Sequence, residues 1–299
     1  MKKVQIITTI LLTFLWAMMP IYLTAQSLQE SYKDVTFIDI STVTGDITIK
    51  KGDTKEVKVD GKWDEEQVKV RLNHSGDFLT INVKNKSNNT DSNASNWVLW
   101  IPDGLKIDVT SGTGSLNIAG VEGVLKVTIG TGDIEVSDMK GKFDINSGTG
   151  EIEITNASGK FDLISGTNDV IVKNSEGKFD ANSGTGDVQF EQVNPTRYSS
   201  LNSGTGDVYF EVSTKIGADL SIKSGTGDAI LDFHGNKIEG DFEMKCGIRS
   251  GEIIAPFSFD SEVQVGKRNN GYIEKEAKIG NGEYDLEIST GTGKAEVKS

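Results

Sequence analysis

Cysteine, histidine and proline are all scarce in this sequence, and each shortage removes a class of structure or site. One cysteine, Cys246, occurs in 299 residues, so an intramolecular disulfide and a cysteine-rich metal site are both excluded. Two histidines, His74 and His234, leave little material for a catalytic triad or a multi-histidine metal site. Only 4 prolines accompany 34 glycines, which indicates many ordered turns rather than a disordered linker.

Positive charge is also in short supply. Lys and Arg total 31 against 44 Asp and Glu, and the formal net charge is −13. This balance argues against a nucleic-acid partner, because such partners need their phosphates neutralised by Lys and Arg. Arg197 is the only arginine between positions 100 and 240, so a carboxylate that cleaves polysaccharide would find few basic partners. Together these shortages argue against most enzyme classes.

The first 25 residues predict a secretory signal peptide. Lys2 and Lys3 precede an almost unbroken apolar run from Ile6 to Met19. A Leu-Thr-Ala-Gln sequence then predicts cleavage after Ala25. An uncleaved membrane anchor is the less favoured alternative, because the run is shorter than the ~20 residues of a spanning helix. We therefore expect an exported protein of the periplasm, outer surface or medium, with no transmembrane segment after cleavage.

A glycine-rich motif recurs through the middle of the chain. Seven sequences of the type Ser-Gly-Thr-Gly-Asp-Ile place their first glycines at positions 112, 130, 148, 166, 184, 204 and 225. The spacings are 18, 18, 18, 18, 20 and 21 residues. Decayed copies flank this block at 44–47, 279–282 and 291–293. A period held by so many copies is typical of a repeat architecture.

Each repeat predicts two short strands joined by glycine corners. Phe143 and Ile145 alternate with polar residues before the Gly-Thr-Gly turn, and Ile152 and Ile154 do so after it. The inward positions change from odd residue numbers in the first pair to even numbers in the second, so the chain must bend between them. Glycine suits a bend because it accepts positive φ. Two strands and two corners predict one coil of an all-β solenoid, similar to a parallel β-helix, with coils ~4.8 Å apart. An antiparallel meander of hairpins is the less favoured alternative.

Stacked coils would align equivalent residues in columns, and the columns expected to face inward are apolar. They are Leu125, Phe143, Phe161 and Phe179; Val127, Ile145, Leu163, Ala181, Leu201 and Ile222; and Ile134, Ile152, Val170, Val188, Val208 and Ala229. The ends keep the alternation but lose the period, as the capping ends of a repeat array do. The expected division is a signal peptide (1–25), an irregular N-terminal β cap (26–100), regular solenoid repeats (101–231), and irregular C-terminal coils with a cap (232–299).

From about residue 35 onward the chain resembles a known family. The segment Trp97–Gly114 reads Trp-Val-Leu-Trp-Ile-Pro-Asp-Gly-Leu-Lys-Ile-Asp-Val-Thr-Ser-Gly-Thr-Gly and continues into the tandem Ser-Gly-Thr-Gly-Asp units. This pattern is similar to the DUF4097 (toastrack) β-strand-repeat family of bacterial envelope proteins, to which an adhesin role is assigned by inference. The composition and the Ala25-Gln26 junction are Bacteroidetes-like. The resemblance implies a β-repeat fold and a binding role, and it brings no catalytic residue to transfer.

Two columns at the Gly-Thr-Gly corner are the most distinctive chemical feature. An acidic residue follows most of these turns, and its favoured role is to bond nearby backbone N–H groups. The alternative is a calcium site, because calcium prefers carboxylate oxygens. The Ser and Thr hydroxyls of the motif are interpreted as filling the corner rather than as a ligand-binding array. The calcium candidates are Asp133, Asp187, Asp207 and Asp228.

Two further columns are expected to face outward. One is unusually apolar for a solvent face and is a candidate contact face for a partner or glycan, although scattered exposed apolar residues are also normal. The other carries carboxylates beside lysines, and it is interpreted as a ladder of salt bridges rather than as a catalytic site. The contact column is Ile171, Gln189, Tyr209 and Ile230; the charged column is Asp144, Asp162 and Asp180 beside Lys142, Lys160 and Lys178.

We expect an exported, non-enzymatic β-repeat protein that acts as an adhesin or as a scaffold and binding module of the cell envelope. Repeated weak contacts along one face would supply the affinity. The expected partner is an envelope or extracellular protein or glycan, and no cofactor is expected apart from calcium at the acidic column. A signalling or stress accessory that binds another envelope protein is the alternative. A polysaccharide-processing β-helix enzyme is less favoured still.

Overall fold

The computed structural model describes residues 25–86, 94–266 and 271–299. These residues form a β-solenoid, which confirms the predicted fold class. Except for Ala25, the predicted signal peptide lies outside the described residues. The described ranges contain no helix long and apolar enough to cross a membrane.

The strands fall into an N-terminal group, a repeat group and a C-terminal group. The first contains β1 (Ala25–Tyr32), β2 (Phe37–Thr44), β3 (Asp46–Lys51), β4 (Val57–Asp64), β5 (Val68–Ser75), β6 (Phe78–Asn85) and β7 (Ser95–Ile101). The second contains β8 (Leu105–Thr113), β9 (Leu116–Ala119), β10 (Glu122–Thr131), β11 (Ile134–Ser137), β12 (Lys140–Thr149), β13 (Ile152–Thr155), β14 (Ser158–Thr167), β15 (Val170–Lys173), β16 (Glu176–Thr185), β17 (Val188–Pro195), β18 (Ser199–Thr205), β19 (Val208–Val212), β20 (Leu220–Thr226) and β21 (Ala229–Asp232). The third contains β22 (Gly240–Gly247), β23 (Gly251–Ile254), β24 (Ser261–Val265), β25 (Tyr272–Ile279) and β26 (Asp285–Lys298).

Each repeat contributes a short strand to one sheet, sheet A, and a longer strand to the opposite sheet, sheet B. Successive coils pair in parallel, with Ile152 beside Val170 in sheet A and Phe143 beside Phe161 in sheet B. All three predicted inward columns are confirmed, since their members align in register and are buried. The parallel pairing rules out an antiparallel meander for these repeats.

The N-terminal strands enter the stack out of sequence order. β2 and β3 form a coil that lies between the coil of β6 and β7 and the coil of β8 and β9. Thr44, in the first decayed motif, therefore aligns with Thr113 of the first clean repeat. β5 covers β6, β4 covers β7, and β1 lies outside β4, all in antiparallel pairing. The cap proper is thus made of β1, β4 and β5.

The C-terminal end also contains a coil that is inserted out of sequence order. β26 inserts between the coil of β20 and β21 and the coil of β22 and β23, and its Thr292 aligns with Thr226. β25 and β24 then close sheet B in antiparallel pairing. The 279–282 motif instead leads into the turn after β25. The expected irregular ends over 26–100 and 232–299 took no account of these inserted coils, and those domain limits stay a prediction.

A stack of aromatic rings fills the centre of the repeats. Phe161 lies between Phe143 and Phe179, with ring centroids 4.6 and 4.8 Å away. In the next coil the equivalent position of sheet B is Ser199, which is too small to continue the stack. Its hydroxyl accepts a hydrogen bond from the N–H of Phe179 at 3.0 Å. Sheet A supplies the missing volume with Phe190, whose ring meets that of Phe179 edge-on at 5.2 Å. Large side chains thus pass from one sheet to the other, and the core stays filled.

The corner where the sheet B strands begin leaves no room for a side chain. Gly159 has φ +142°, and a Cβ built on it would lie 1.8 Å from the carbonyl oxygen of Gly141 in the preceding coil. Both the backbone conformation and the contact therefore require glycine. This corner consequently presents bare backbone to solvent.

Replacing Phe161 by Ala is expected to lower the free energy of unfolding by about 3–5 kcal/mol, because it leaves a cavity between two fixed rings. Ile164, on the outer face of the same strand and 44% exposed, offers a matched control. Its replacement by Ala should change the free energy by no more than about 0.5 kcal/mol. Denaturant titrations followed by circular dichroism measure both, and equal losses would contradict the assignment of inner and outer faces.

Candidate binding surfaces

The acidic residues after the Gly-Thr-Gly turns join each coil to the next. Oδ1 of Asp187 accepts the backbone N–H of Asp207 at 2.8 Å, and Oδ1 of Asp207 accepts that of Asp228 at 2.7 Å. The same bond runs from Asp46 to Ser115, Asp133 to Glu151, Asp169 to Asp187 and Asp228 to Lys294. The carboxylates therefore satisfy backbone donors, as the capping interpretation predicts, and they do so across the coil boundary.

The calcium interpretation concerns the same column. Across the described ranges, no group of three or more His, Cys, Asp or Glu side chains is arranged to hold a metal ion. One oxygen of each candidate, Asp133, Asp187, Asp207 and Asp228, is already used by a backbone N–H. Calcium binding at these four residues stays a prediction.

The serines and threonines of the motif face opposite ways. The serines are buried, and the hydroxyls of Ser203 and Ser224 donate to the carbonyl oxygens of Gly186 and Gly206 at 2.7 and 2.8 Å. The threonines, such as Thr185, are exposed on the outside of the turn. The serine column thus packs the corner from within.

Replacing Asp207 by Ala removes the acceptor for the Asp228 N–H and is expected to lower the free energy of unfolding by about 1–2 kcal/mol. Asp207→Asn keeps an oxygen acceptor and should retain most of this stability. Denaturation of both variants in calcium and in EDTA measures the effect. Equal losses would contradict the acceptor role, and calcium stabilisation of the wild type alone would support the calcium interpretation.

Glu151 occupies the same column and carries a disfavoured negative charge. Burial raises the pKa of its carboxyl, and the nearby carboxylates Glu153, Asp133 and Asp169 raise it further, against a lowering effect of Lys173. A carboxyl whose folded pKa lies above its unfolded pKa adds stability at low pH and loses that stability as the pH rises. The ionised form at neutral pH is therefore a cost to the fold.

Glu151→Gln is accordingly expected to raise the denaturation midpoint at neutral pH, because it removes a carboxylate that its surroundings disfavour. The gain should vanish at pH values well below both pKa values, where the wild-type residue is protonated. Glu65→Gln, at an exposed position, controls for the loss of one negative charge and should have the smaller effect. A Glu151→Gln protein less stable than wild type at neutral pH would contradict the direction of the pKa shift.

The predicted contact column lies on the outer face of sheet A. Ile171, Gln189, Tyr209 and Ile230 align in register over four successive coils, and all four are half-buried. They replace the glutamates that occupy the same column in the preceding coils, such as Glu153. This column therefore changes from charged to mostly apolar over four coils, and Glu296 follows Ile230 in the next coil. Its role as a contact face stays a prediction at this point.

Tyr209 is held in place by two carboxylates. Its hydroxyl donates to Oε2 of Glu211 at 3.0 Å and lies 3.2 Å from Oδ2 of Asp232. Burial and these carboxylates raise the pKa of the Tyr209 phenol, so it stays protonated. The ring consequently has a fixed position on the sheet surface.

The salt-bridge ladder predicted on the outer face of sheet B is wrong. No lysine of the set Lys142, Lys160 and Lys178 lies within salt-bridge distance of a carboxylate in the part of the chain that the structure describes. The register stacks lysine on lysine and Asp144 on Asp162 and Asp180. Like residues are therefore the nearest neighbours across the coils, and no lysine stacks on a carboxylate within these two columns.

Two of these lysines, Lys160 and Lys178, line a groove that the sequence analysis did not predict. The groove has a volume of about 470 Å³ and runs across the glycine corner of three coils. The sequence feature that could have predicted this groove is a Gly-Lys dipeptide, which recurs at 141, 159 and 177 with the period of the repeat. We call it the basic groove, and it is lined by the floor glycines Gly141, Gly159 and Gly177, the cations Lys140, Lys160, Lys178 and Arg197, the carboxylates Glu122 and Glu176, and the hydroxyls of Ser158 and Thr196.

The parallel coils with their outward columns define a β-solenoid repeat protein. A family model, Toastrack DUF4097, matches residues 35–298. The chain therefore belongs to the Toastrack family, as its repeat motif indicates. A comparison with curated proteins finds no match.

Several solved structures are similar to this chain at low identity. A "putative adhesin" from Parabacteroides distasonis ATCC 8503 is 14% identical, with 70% of this chain and 89% of that chain covered and a TM-score of 0.46. A "putative adhesin" from Bacteroides fragilis NCTC 9343 is 11% identical, with coverage of 91% and 97% and a TM-score of 0.40. A "putative lipid binding protein" from Parabacteroides distasonis ATCC 8503 is 11% identical, with coverage of 92% and 96% and a TM-score of 0.34. Likeness at this level says nothing about the ligand of this chain.

Proposed function

We propose that the protein is an exported, non-enzymatic binding module of the bacterial cell envelope, of the adhesin type. It contacts a protein or glycan partner through the outer face of sheet A. The observation that carries this proposal is the aligned column of Ile171, Gln189, Tyr209 and Ile230 on an otherwise polar and charged face.

The column has the composition of a contact surface. Two aliphatic side chains and an aromatic ring offer apolar area, and the Gln189 amide offers both a hydrogen-bond donor and an acceptor. Tyr209 is fixed by Glu211 and Asp232 before any partner arrives, so little side-chain entropy is lost on contact. Aromatic residues with a polar end are also the residues enriched at binding hot spots.

The solenoid supplies rigidity and repetition to this surface. Neighbouring coils are fixed by continuous backbone pairing, so the four side chains keep their spacing. A partner with its own repeated groups would meet several of them at once, and linked weak contacts give a much higher overall affinity. This is the behaviour required of an adhesin or an envelope scaffold.

The carboxylates on sheet B support a non-enzymatic role. Asp144 and Asp180 accept hydrogen bonds from Asn146 and Asn182 at 3.2 and 3.4 Å. Asp162 stacks between these two carboxylates, so the same group recurs coil after coil. A glycosidase needs an opposed pair of carboxylates with different pKa values, and a repeated column does not provide one.

The binding test compares residues 26–299 with the variant Tyr209→Ala/Ile230→Ala on glycan arrays, matrix proteins and isolated envelopes. We expect the wild type to bind one of these partners and the variant to bind it about tenfold more weakly or worse, because the variant removes the ring and an apolar neighbour. Asn117→Ala/Glu135→Ala, in the same column but in coils that precede Ile171, is the matched control and should bind normally. Circular dichroism confirms that each variant is folded.

Three results would contradict this proposal. Reducing or unsaturated ends released from a glycan would show an enzyme. Equal binding by the wild type and the Tyr209→Ala/Ile230→Ala variant would show that the partner uses another face. Capture of a single envelope signalling protein, without adhesion to any surface, would favour the accessory role.

A further inference from the structure

We propose that the basic groove binds a linear, carboxylate-bearing polysaccharide, with the polymer lying along the axis of the solenoid. This site is separate from the Tyr209 face and does not rest on the function proposed for that face.

The groove concentrates positive charge on a strongly acidic protein. Four cations and two carboxylates line it, so its local charge is 4 − 2 = +2 on a chain of formal charge −13. Lys140, Lys160, Lys178 and Arg197 make no salt bridge with any described residue. Lys142 continues the column beneath Lys160, and it too is unpaired. Unpaired cations in one groove are free to meet an anionic ligand.

The floor of the groove is shaped for a flat ligand. A Cβ at Gly141, Gly159 or Gly177 would lie 1.8, 1.8 or 2.0 Å from a carbonyl oxygen of the preceding coil, so this floor carries no side chains. Bare glycine backbone allows a ligand to approach closely. A sugar ring can therefore lie against the floor while its carboxylate reaches the lysines at the side.

The spacing of the cations suits a polymer. Lys160 and Lys178 occupy equivalent positions in adjacent coils, and so do Lys142 and Lys160. Their backbones are ~4.8 Å apart, which is close to the length of one sugar residue in an extended polysaccharide. A chain with one carboxylate per sugar would therefore meet a new lysine at each step. A single small anion would use only one of these positions.

The remaining groups favour a sugar polymer over a polyphosphate. Ser158 and Thr196 offer hydroxyls, and Glu122 and Glu176 offer acceptors for sugar hydroxyl groups. A polyphosphate has no hydroxyl group to donate to these two carboxylates, so Glu122 and Glu176 would only repel it. Mixed cations, hydroxyls and acceptors thus match a polymer that carries both charge and hydroxyls.

The test measures binding of polygalacturonate oligomers to residues 26–299 by calorimetry, with neutral dextran and inorganic polyphosphate for comparison. We expect binding to polygalacturonate, none to dextran, and weakening with salt because the contacts are ionic. Lys160→Gln/Lys178→Gln should lower the affinity about tenfold or more, since each lysine that lies close to the anionic polymer contributes separately to binding. Glu122→Gln/Glu176→Gln should raise the affinity, because it removes the opposing charge.

Lys69→Gln/Lys84→Gln is the matched control, because it removes the same charge from exposed residues that lie opposite each other on β5 and β6. It should leave the affinity within about twofold. An equal loss in this control, tighter binding to polyphosphate, or no binding to polygalacturonate at low salt would each overturn the proposal. Concentration-dependent self-association that the Lys160→Gln/Lys178→Gln variant abolishes, without polysaccharide binding by the wild type, would show that a second copy fills the groove. Normal Tyr209-face binding by that variant would separate this result from the proposed function.

Discussion

The structure depends on the parallel backbone pairing of equivalent residues in successive coils. This pairing places each side chain above its counterpart, so every position in the repeat becomes a column. Where the column is apolar and inward, the result is a dry core with Phe161 stacked between two other rings. In the outward columns of Lys142, Lys160 and Lys178 and of Asp144, Asp162 and Asp180, the same pairing sets like charges together, and these three lysines have no salt-bridge partner among the described residues. The core and the basic groove are thus two results of one constraint.

The two corners meet this constraint in different ways. At the Gly-Thr-Gly corner, like-charged aspartates would repel, but each one bonds a backbone N–H of the next coil, as Asp207 does with Asp228. Glu151 lacks favourable surroundings in that column, and its raised pKa shows the cost. At the other corner, the close approach of Gly159 to Gly141 removes side chains altogether. The polar groups of the Gly-Thr-Gly corner therefore stabilise the fold. At the corner of Gly159, the backbone and the lysines are accessible to a ligand.

Sequence periodicity predicts the middle of this fold well and its ends poorly. The 18-residue spacing and the alternation of Phe143 and Ile145 were sufficient for the strands, the inward columns and the parallel stack. They could not show that β26 inserts between β20 and β22, because spacing along the chain does not say which coils are neighbours. The salt-bridge ladder failed because alternation suggested pairs, whereas the register stacks like on like. The basic groove was not predicted because the lysines of its Gly-Lys signal were interpreted as members of that ladder.

The stacked register is tested most directly by a distance between two spin labels on sheet A. Glu135 and Ile230 belong to one outward column and are five coil steps apart, through 153, 171, 189 and 209. On a background that lacks Cys246, labels at these two positions should be ~24 Å apart, at ~4.8 Å per step. An antiparallel meander would place two strands in each repeat and double the separation to ~48 Å. The shorter distance is the one this account predicts, and the longer one would contradict it.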